Sequence, residues 1–300
     1  MIIKNARIYR LSAPLPVTAE TLEQALTEFK WQAPSGQEFS RSGFYQPLHS
    51  SIKPLVAELD KDILVIAVKT TQKILPAAVI NEQLQPLIEA GELEAGRPLS
   101  RKEKQQLKED LQQSLLPRAF SRSTITAAYI DMAGQQIIVD TASASKAEDI
   151  LALLRKAIGS LPALPWLDNH KLNSQLQLWL QNQNLPAGFA LGHNTQLKAP
   201  DEEGARATFK DHLLTADEVQ SHLQDKLVTQ LQLSKTDTCD FTIRDDGSIT
   251  GIKWADAITE QNDELGWDGL QARMTADLYL VTSELRKVLE AVKGVVEHGE

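Results

Sequence analysis

The stretch ITAAYIDMAGQQIIVDTA, residues 125–142, decides the fold class because it contains two strand-like runs around a turn. β-branched and aromatic residues dominate ITAAYIDM and QIIVDTA, and Ala133-Gly134 between them suits a tight connection. This pattern predicts a β-hairpin of two antiparallel strands.

A helix is expected directly after this hairpin. The segment AEDILALLRKAIG, residues 147–159, repeats its apolar residues at helical spacing, with Ser145 as the expected N-cap. Gly159 and Pro162 mark its end. A hairpin followed by a separate helix favours an α+β fold of antiparallel sheets with separate amphipathic helices over a parallel α/β sheet.

A comparable order recurs near the C-terminal end. LVTQLQL, DFTIR and ITGIKW, within residues 227–254, are expected strands around a turn at Asp246-Gly247. DLYLV then leads into the expected helix SELRKVLEAVKGVVEH. We therefore expect two related halves, although their residues do not match.

The chain upstream of the first hairpin carries a basic amphipathic helix. Ser100-Arg-Lys-Glu103 matches a capping box, so a helix should begin there. A stripe that we expect to be buried follows at Leu107, Leu111 and Leu115. Pro117, in SLLPRAFSR, ends the helix because proline lacks an N–H.

Three hundred residues exceed the usual size of one core, so we expect two or three lobes. Helix-like TAETLEQALTEF and strand-like DILVIAVKT both lie in the first 75 residues, and the Gln-, Asn-, Pro- and Gly-rich segment 161–204 predicts a connector with one short helix. We predict a central α+β lobe (1–75 with 118–165), a helical insert with the basic helix (76–117) and an acidic C-terminal α+β lobe (166–300).

Charge is distributed unevenly along the chain. The net charge is -9, but residues 1–122 carry 16 Lys and Arg against 14 Asp and Glu, whereas residues 201–300 carry 10 against 21. Seven cations against three acids occupy one window, comprising Arg97, Arg101, Lys102, Lys104, Lys108, Arg118 and Arg122. Overall acidity alone argues against a polyanionic partner, whereas this window favours one.

Phe120 lies between Arg118 and Arg122 in a turn that follows the basic helix. Arginines bind phosphates bidentately, and an exposed ring can stack on a base or wedge between base steps. Alternatively, Phe120 is the first core residue of the following strand, and the residues alone leave both interpretations open.

No complete catalytic or metal-binding motif is present in the sequence. The six histidines are scattered, the single Cys239 is expected in the core, and Walker A, GxGxxG and GxSxG patterns are missing. Asp245-Asp246 suits the turn at Gly247, which leaves Asp60 and Asp62 as candidate carboxylates of a metal-dependent nuclease. We expect no enzymatic activity, no cofactor and no metal.

Five segments resemble the RdgC family of bacterial recombination-associated proteins. They are MIIKNARIYRLS at the start, KILPAAVIN, SLLPRAFSR, VDTASASKAEDILALLRKAIGSLPALP and DDGSITGIKW. Among these features, LLPRAFSR followed at this spacing by the KAEDILALLRK helix is the one that is specific to the family. The resemblance runs from end to end.

This resemblance implies a non-enzymatic DNA-binding protein of the nucleoid. It implies a ring-shaped homodimer whose positively lined hole surrounds double-stranded DNA, and restraint of a RecA-type recombinase. Single-stranded DNA is a further candidate ligand that the sequence leaves open. An acidic exterior is compatible with this, because charge is screened over a Debye length of about 8 Å at physiological salt. Phe120 corresponds to a finger at the DNA-facing surface, within the motif that also holds Arg118 and Arg122.

The resemblance also implies basic contacts in ARATFKDHLL, where Arg206, Lys210 and His212 are the candidates. The expected DNA-binding set is completed by Arg206 and Lys210 together with Arg97, Arg101, Lys104 and Lys108. A metal-dependent nuclease, or an acidic scaffold that binds recombination proteins directly, remains an alternative. Residues 1–16 lack a signal-peptide pattern and no eighteen consecutive positions are apolar, so we expect a cytoplasmic protein without a membrane partner.

Overall fold

A computed structural model of the chain describes residues 2–60, 62–201, 204–259 and 269–298. These residues form α-helices at α1 (Ala19–Thr27), α2 (Ala77–Ala95), α3 (Arg101–Leu115), α4 (Ala144–Ile158), α5 (Asn169–Asn182), α6 (Asp217–Ser221), α7 (Asp256–Thr259) and α8 (Leu270–His298). Among these residues, no helix has the length and apolar composition that a membrane span requires.

The strands are β1 (Arg7–Leu11), β2 (Ser40–Tyr45), β3 (Val56–Asp60), β4 (Ile63–Ile74), β5 (Phe120–Asp131), β6 (Gln136–Val139), β7 (Ala163–Pro165), β8 (Phe189–Lys198), β9 (Arg206–Phe209), β10 (Leu227–Lys235), β11 (Cys239–Arg244) and β12 (Ile249–Trp254). The fold is α+β with antiparallel sheets, as the sequence predicts.

Two compact units make up the chain. The large unit comprises Met1–Glu28, Gln46–Ala67 and Thr126–Glu300, and the small unit comprises Phe29–Tyr45 and Val68–Ile125. Strands β4 and β5 contribute residues to both units.

The first sheet of the large unit contains the predicted hairpin. Strands β5 and β6 pair antiparallel with Tyr129 opposite Ile138, and β6 also pairs with β1, which pairs with β7. Strand β3 pairs with β4. The connection between β5 and β6 is held by Asp131, whose carboxylate accepts the backbone N–H of Gly134. The hairpin prediction is therefore confirmed.

The N-cap of helix α4 lies two residues earlier in the chain than predicted. Its N-cap is Ser143, whose hydroxyl accepts the backbone N–H of Lys146 at 3.3 Å, so the assignment of Ser145 was wrong. The end is as predicted, because Gly159 takes the positive φ of 84° that glycine adopts without strain. The helix buries Ile150 and Leu154.

The second sheet of the large unit has the order β12–β11–β10–β8–β9. Its buried side chains join one core with α5, α8 and the first sheet, and Trp179 and Phe241 are among the largest of these core residues. Cys239 is buried in the same core, as predicted, and burial raises the pKa of its thiol to about 12.

The segment between the predicted halves is more ordered than a connector. Residues 161–204 contain β7, the fourteen-residue helix α5 and the ten-residue strand β8, which pairs with both β10 and β9. The helix prediction was right, but the connector interpretation was wrong because Gln and Asn occupy the half-exposed positions of regular elements. DLYLV is likewise part of a helix, since α8 already begins at Leu270.

The first residues of the chain are bound to its last strand. Ala6 and Ile249 form an antiparallel bridge, and the indole N–H of Trp254 donates to the Ile3 carbonyl at 2.8 Å. The N-terminal segment is therefore an integral part of the large unit.

The small unit combines β2, the second part of β4 and the first part of β5 with α2 and α3. Hydroxyl contacts join its strands, with 2.8 Å between Ser42 and Thr70 and 2.8 Å between Thr71 and Ser123. Helix α3 begins at the predicted capping box, in which Ser100 accepts the N–H of Glu103. No residue of α3 is buried, so the expectation of a buried leucine stripe was wrong: the leucines are half-buried.

Candidate nucleic-acid interface

The turn between α3 and β5 is fixed by local backbone structure. A 3-10 turn spans Leu116–Arg118, with Pro117 at its start, and the N–H of Ala119 donates to the Leu116 carbonyl at 3.2 Å. Proline fits the first turn of a helix because its fixed φ is suitable there and its missing N–H has no partner to lose. Leu116 is buried and holds the turn to the small unit.

Phe120 is the first residue of β5, and its side chain is 86% exposed. Ser121, Arg122 and Ser123 after it are exposed too, and β5 becomes buried only from Thr126 onward. A phenylalanine ring left in water forgoes about 1.5–3 kcal/mol of burial free energy. Phe120 is therefore not part of the core of this chain, and its ring is available to a partner.

Arg118 and Arg122 are exposed on either side of Phe120. Within the described part of the chain, neither forms an ion pair, and the same holds for Arg101 and Lys108 on α3. Free guanidinium groups flanking an exposed ring can bind phosphates while the ring contacts bases.

Two other predicted contacts are already bound to carboxylates. Arg97 makes a bidentate pair with Glu103, at 3.1 and 2.8 Å, and Lys104 lies 2.9 Å from Glu92. The hydrogen bonds from Arg97, with those from Ser100, lower the pKa of Glu103 to about 2. Part of the cationic charge that the sequence places in this window is thus neutralised within the small unit.

The charge difference between the two units is larger than the sequence windows indicate. The small unit carries 11 Lys and Arg against 8 Asp and Glu, a net charge of +3. The large unit carries 20 against 32, a net charge of -12. The basic residues that flank Phe120 therefore belong to a unit of net positive charge.

Arg206 and Lys210 lie in the large unit, at the two ends of β9, and both are exposed. His212, the third candidate of this segment, lies 3.4 Å from Glu218 and packs its ring against Phe209. The histidine is engaged in local contacts, whereas the two cations are not paired with any described residue.

The comparisons with known proteins now identify the family. A family model described as "Putative exonuclease, RdgC" matches residues 1–298. The chain belongs to the RdgC family. It is 40% identical over 293 residues to the recombination-associated protein RdgC of Psychromonas ingrahamii (97% of each chain) and 39% identical over 290 residues to that of Proteus mirabilis (96% of each chain). The RdgC protein of Aeromonas hydrophila is 40% identical, over 97% of this chain and 96% of its own.

Membership of RdgC supports a role in recombination, since the curated relatives are named recombination-associated proteins. The resemblance that the five sequence segments indicate is thus confirmed over nearly the whole chain.

The carboxylates considered for a nuclease lie in or beside turns between strands. Asp60 ends β3 and Asp62 lies in the turn before β4, where its carbonyl accepts the Met132 N–H. Asp246 binds Arg7 at 2.7 Å, a structural pair. Over the described ranges, no three His, Cys, Asp or Glu residues are grouped so as to hold a metal ion.

Sequence reasoning missed the polar residues of β4 that share the small unit with Phe120. Thr71 contacts Ser123 of β5, which places Lys69 and Lys73 on the strand beside FSRS. Lys69 lies 3.7 Å from the centre of the Trp31 ring, so its charge is used in a cation–π contact. Lys73 is a further cation near the candidate site. The sequence contained this information, since ILVIAV (63–68) is apolar and KTTQK (69–73) is not.

Proposed function

We propose that this chain is a non-enzymatic DNA-binding protein of the nucleoid, which contacts duplex DNA without reading its sequence. One observation carries the proposal: Phe120 is 86% exposed between two exposed arginines, in a unit of net positive charge. Membership of a family of recombination-associated proteins agrees with a DNA ligand.

The arginines would supply affinity without sequence preference. Arg118 and Arg122 would bind phosphates, and Arg101 and Lys108 would extend the contact along α3. Each neutralised phosphate releases counterions, which makes binding weaken as salt rises. Arg97 and Lys104 would contribute less, because each shares its charge with a carboxylate. Arg206 and Lys210 form a separate contact on the large unit.

Phe120 would act as a wedge or stacking platform. When the two arginines bind phosphates, the Phe120 ring between them would reach the bases. There it could stack on an exposed base or insert between two neighbouring base pairs. Stacking on an aromatic side chain contributes about 1–3 kcal/mol per base. This contribution does not depend on base identity, which agrees with sequence-independent binding.

We further propose that two copies form a ring around the duplex and thereby limit the access of a RecA-type recombinase. Apolar side chains suited to self-association are exposed on α2, where Leu93 is 86% and Leu87 is 41% exposed. A cleft of about 470 Å³ in the same unit is lined by Gly91, Leu99 and Leu107 together with Glu94, Glu103 and Gln106. Exposed apolar groups of this kind mark protein–protein contacts.

The decisive experiment measures duplex affinity by fluorescence anisotropy at several salt concentrations. Arg118→Ala is expected to lower the slope of log affinity against log salt by about 0.9, because one phosphate contact is lost. Phe120→Ala is expected to weaken binding about tenfold or more with the slope unchanged.

Matched controls are Arg155→Ala, an exposed arginine on α4 of the large unit, and Phe39→Ala, a half-exposed phenylalanine of the small unit. Neither should change affinity more than twofold. If Arg118→Ala and Phe120→Ala behave like these controls, the turn is not the DNA contact and the proposal fails.

Two further assays test whether the protein cleaves DNA and whether it restrains the recombinase. Incubation with Mg²⁺ or Mn²⁺ and plasmid should leave the DNA intact, and cleavage lost in Asp62→Ala would establish the nuclease alternative instead. Recombinase activity on DNA should fall in proportion to DNA coverage. Recombinase binding without DNA would favour the scaffold alternative.

A further inference from the structure

A small polar cleft lies beside the first strand of the large unit. It has a volume of about 140 Å³ and is lined by residues of β1, by the segment 165–167, by residues near the N-terminal ends of α4 and α5, and by the turn 246–248 between β11 and β12. We call it the β1 cleft. None of its lining residues belongs to the expected DNA-binding set, so the proposed function leaves it without a role.

Arg7 brings hydrogen-bond donors to the β1 cleft that the fold does not use. Its side chain is only 13% exposed. Nε donates to the Ala142 carbonyl at 3.2 Å, and Nη2 donates to the Asp246 carboxylate at 2.7 Å. A guanidinium has five N–H groups, so three of them have no acceptor among the described residues. Because a largely buried donor is costly to leave unpaired, these groups favour a ligand with an anionic oxygen.

Tyr9 and Glu148 bring the opposite chemistry to the same cleft. Tyr9 follows Arg7 by two positions on β1, so the two side chains share a face of the strand and start about 7 Å apart. The Tyr9 hydroxyl donates to Oε1 of Glu148 at 2.9 Å. Burial and this hydrogen bond raise the pKa of Tyr9, so the hydroxyl stays protonated and holds the carboxylate in place. The second oxygen of Glu148 has no donor among the described residues and can accept from a cationic group.

The charges of the β1 cleft suit a ligand that carries both signs. The ion pair of Arg7 with Asp246 is neutral as a whole, which removes the attraction that an unpaired arginine has for a polyanion. Glu148 on α4 then remains as a single negative charge. A ligand with a carboxylate for the spare Arg7 donors and an ammonium for Glu148 meets both demands without changing the net charge of the cleft.

The rest of the lining is apolar and fixed in position. Trp166 is 5% exposed, and its indole N–H donates to the Gly247 carbonyl at 2.9 Å. Ile8, Pro165 and Leu167 line the cleft with it. A few convergent polar groups on an apolar lining are typical of small-molecule sites. The lining therefore accommodates a short aliphatic side chain in addition to the two charged groups.

The volume limits the ligand to a few heavy atoms. A cavity of about 150 Å³ holds benzene, which has six heavy atoms, and a water molecule occupies about 30 Å³ of the liquid. The β1 cleft thus has room for about four or five water molecules or for one molecule of about five to seven heavy atoms. Glycine, alanine and serine are zwitterions of this size.

We propose that the β1 cleft binds a small α-amino acid as its zwitterion. The ligand carboxylate would accept hydrogen bonds from Arg7, its ammonium would donate to Glu148, and its side chain would lie against Trp166. This inference is independent of DNA binding, because the cleft shares no residue with the proposed DNA contacts.

A ligand in the β1 cleft would stabilise the large unit. Its contacts would come from β1 in the first sheet, from α4, and from the turn at Gly247 in the second sheet, and these elements meet only in the folded chain. A ligand that binds the folded state alone raises the unfolding temperature as its concentration rises. Thermal unfolding therefore reports binding separately from any effect on DNA.

The test is isothermal titration calorimetry of the full-length chain with glycine, L-alanine and L-serine, each up to about 10 mM. At least L-alanine should bind saturably, with one molecule per chain, and should raise the unfolding temperature. N-acetyl-L-alanine lacks the ammonium and L-alaninamide lacks the carboxylate. Each should bind at least about tenfold more weakly than L-alanine, because one charge-assisted hydrogen bond is lost.

Variants locate the binding. Glu148→Gln removes the charge but keeps an acceptor for Tyr9, and it should weaken L-alanine binding about tenfold or more. Arg7→Lys keeps a cation beside Asp246 but loses the forked donors, and it should weaken binding to a similar extent. Asp149→Asn removes an exposed acid next to Glu148 on α4 and is the matched control, with L-alanine affinity expected within twofold of wild type.

Three outcomes would overturn the inference. The first is the absence of saturable binding for all three amino acids. The second is equal binding of L-alanine and either analogue, which would make the cleft a site for one charge only. The third is equal L-alanine affinity in Glu148→Gln and Asp149→Asn, which decides the matter even if Arg7→Lys fails to fold.

Discussion

Two arginines of the large unit, Arg7 and Arg286, and two of the small unit, Arg118 and Arg122, are used in opposite ways. Arg286 on α8 gives both of its hydrogen bonds to Asp131, at 2.7 Å each, and Arg7 binds Asp246. Arg118 and Arg122 of the small unit are exposed and unpaired with any described residue. An arginine whose guanidinium is saturated by a carboxylate stabilises the fold, whereas one with unused donors is available to a polyanion. Pairing, rather than position in a basic sequence window, separates the two roles.

The largest effect is expected when the ion pair between Arg286 and Asp131 is broken. Asp131→Ala removes the partner of Arg286 and the carboxylate that holds Gly134 in the β5–β6 turn. Asp131 is buried but the Arg286 side chain is 26% exposed, so loss of the pair and of the turn hydrogen bond should lower the free energy of unfolding by about 2–3 kcal/mol in urea titrations. Asp149→Ala, at an exposed position of α4, should change it by less than about 0.5 kcal/mol. Equal effects would mean that the pair contributes little.

The second prediction concerns the two unpaired arginines, Arg118 and Arg122. Arg118→Ala combined with Arg122→Ala should lower the salt slope of duplex binding by about 1.8, corresponding to two phosphate contacts. The free energy of unfolding should stay within about 0.5 kcal/mol of wild type, since neither side chain is paired within the fold. A large loss of stability would show that these arginines are structural after all.

A third measurement concerns a pair within the small unit. The pKa of Glu103 is about 2, against an ordinary value of 4.5, because Arg97 and Ser100 hydrogen-bond the charged carboxylate. The hydrogen bonds to the charged Glu103 carboxylate therefore contribute fully to stability when the pH is above the ordinary pKa of 4.5. This contribution is lost as the pH falls towards 2. An NMR titration of the Glu103 carboxyl should show this low pKa, and Arg97→Ala should raise it. A pKa near 4.5 in wild type would mean that the pair does not persist in solution.

The smallest effect sharpens the distinction between paired and free cations. Arg97→Ala should lower the salt slope of duplex binding by less than half of what Arg118→Ala does, because Arg97 already shares its charge with Glu103. Equal slopes would show that an exposed ion pair does not prevent a cation from binding phosphate.

Local patterns made much of the fold predictable. The β5–β6 hairpin, the capping box at Ser100 and the end of α4 at Gly159 depend on a few neighbouring residues, so the sequence is sufficient for them. The N-cap of α4 was harder because TASAS offers two serines at suitable positions, and only the backbone geometry selects Ser143. The role of β8 in the second sheet was missed because its pairing partners are distant in sequence.

The residues of the candidate site could be predicted from the sequence, but their exposure and their ion pairing could not. The motif around Phe120 is visible in the sequence, but whether its ring projects or packs depends on what surrounds the start of β5. The pairing of Arg97 with Glu103 depends on the turn at Gly96, which has a φ of 63°.

The binding of the first residues to β12 bears on how the chain is synthesised. The indole of Trp254 and the carbonyl of Ile3 are 251 residues apart in sequence, so that contact cannot form until nearly the whole chain has left the ribosome. At about 5–20 residues per second, the nascent N-terminal segment waits roughly 13–50 s for its partner. Contacts this distant in sequence also slow folding. During that interval the backbone of the N-terminal segment is exposed to chaperones and proteases.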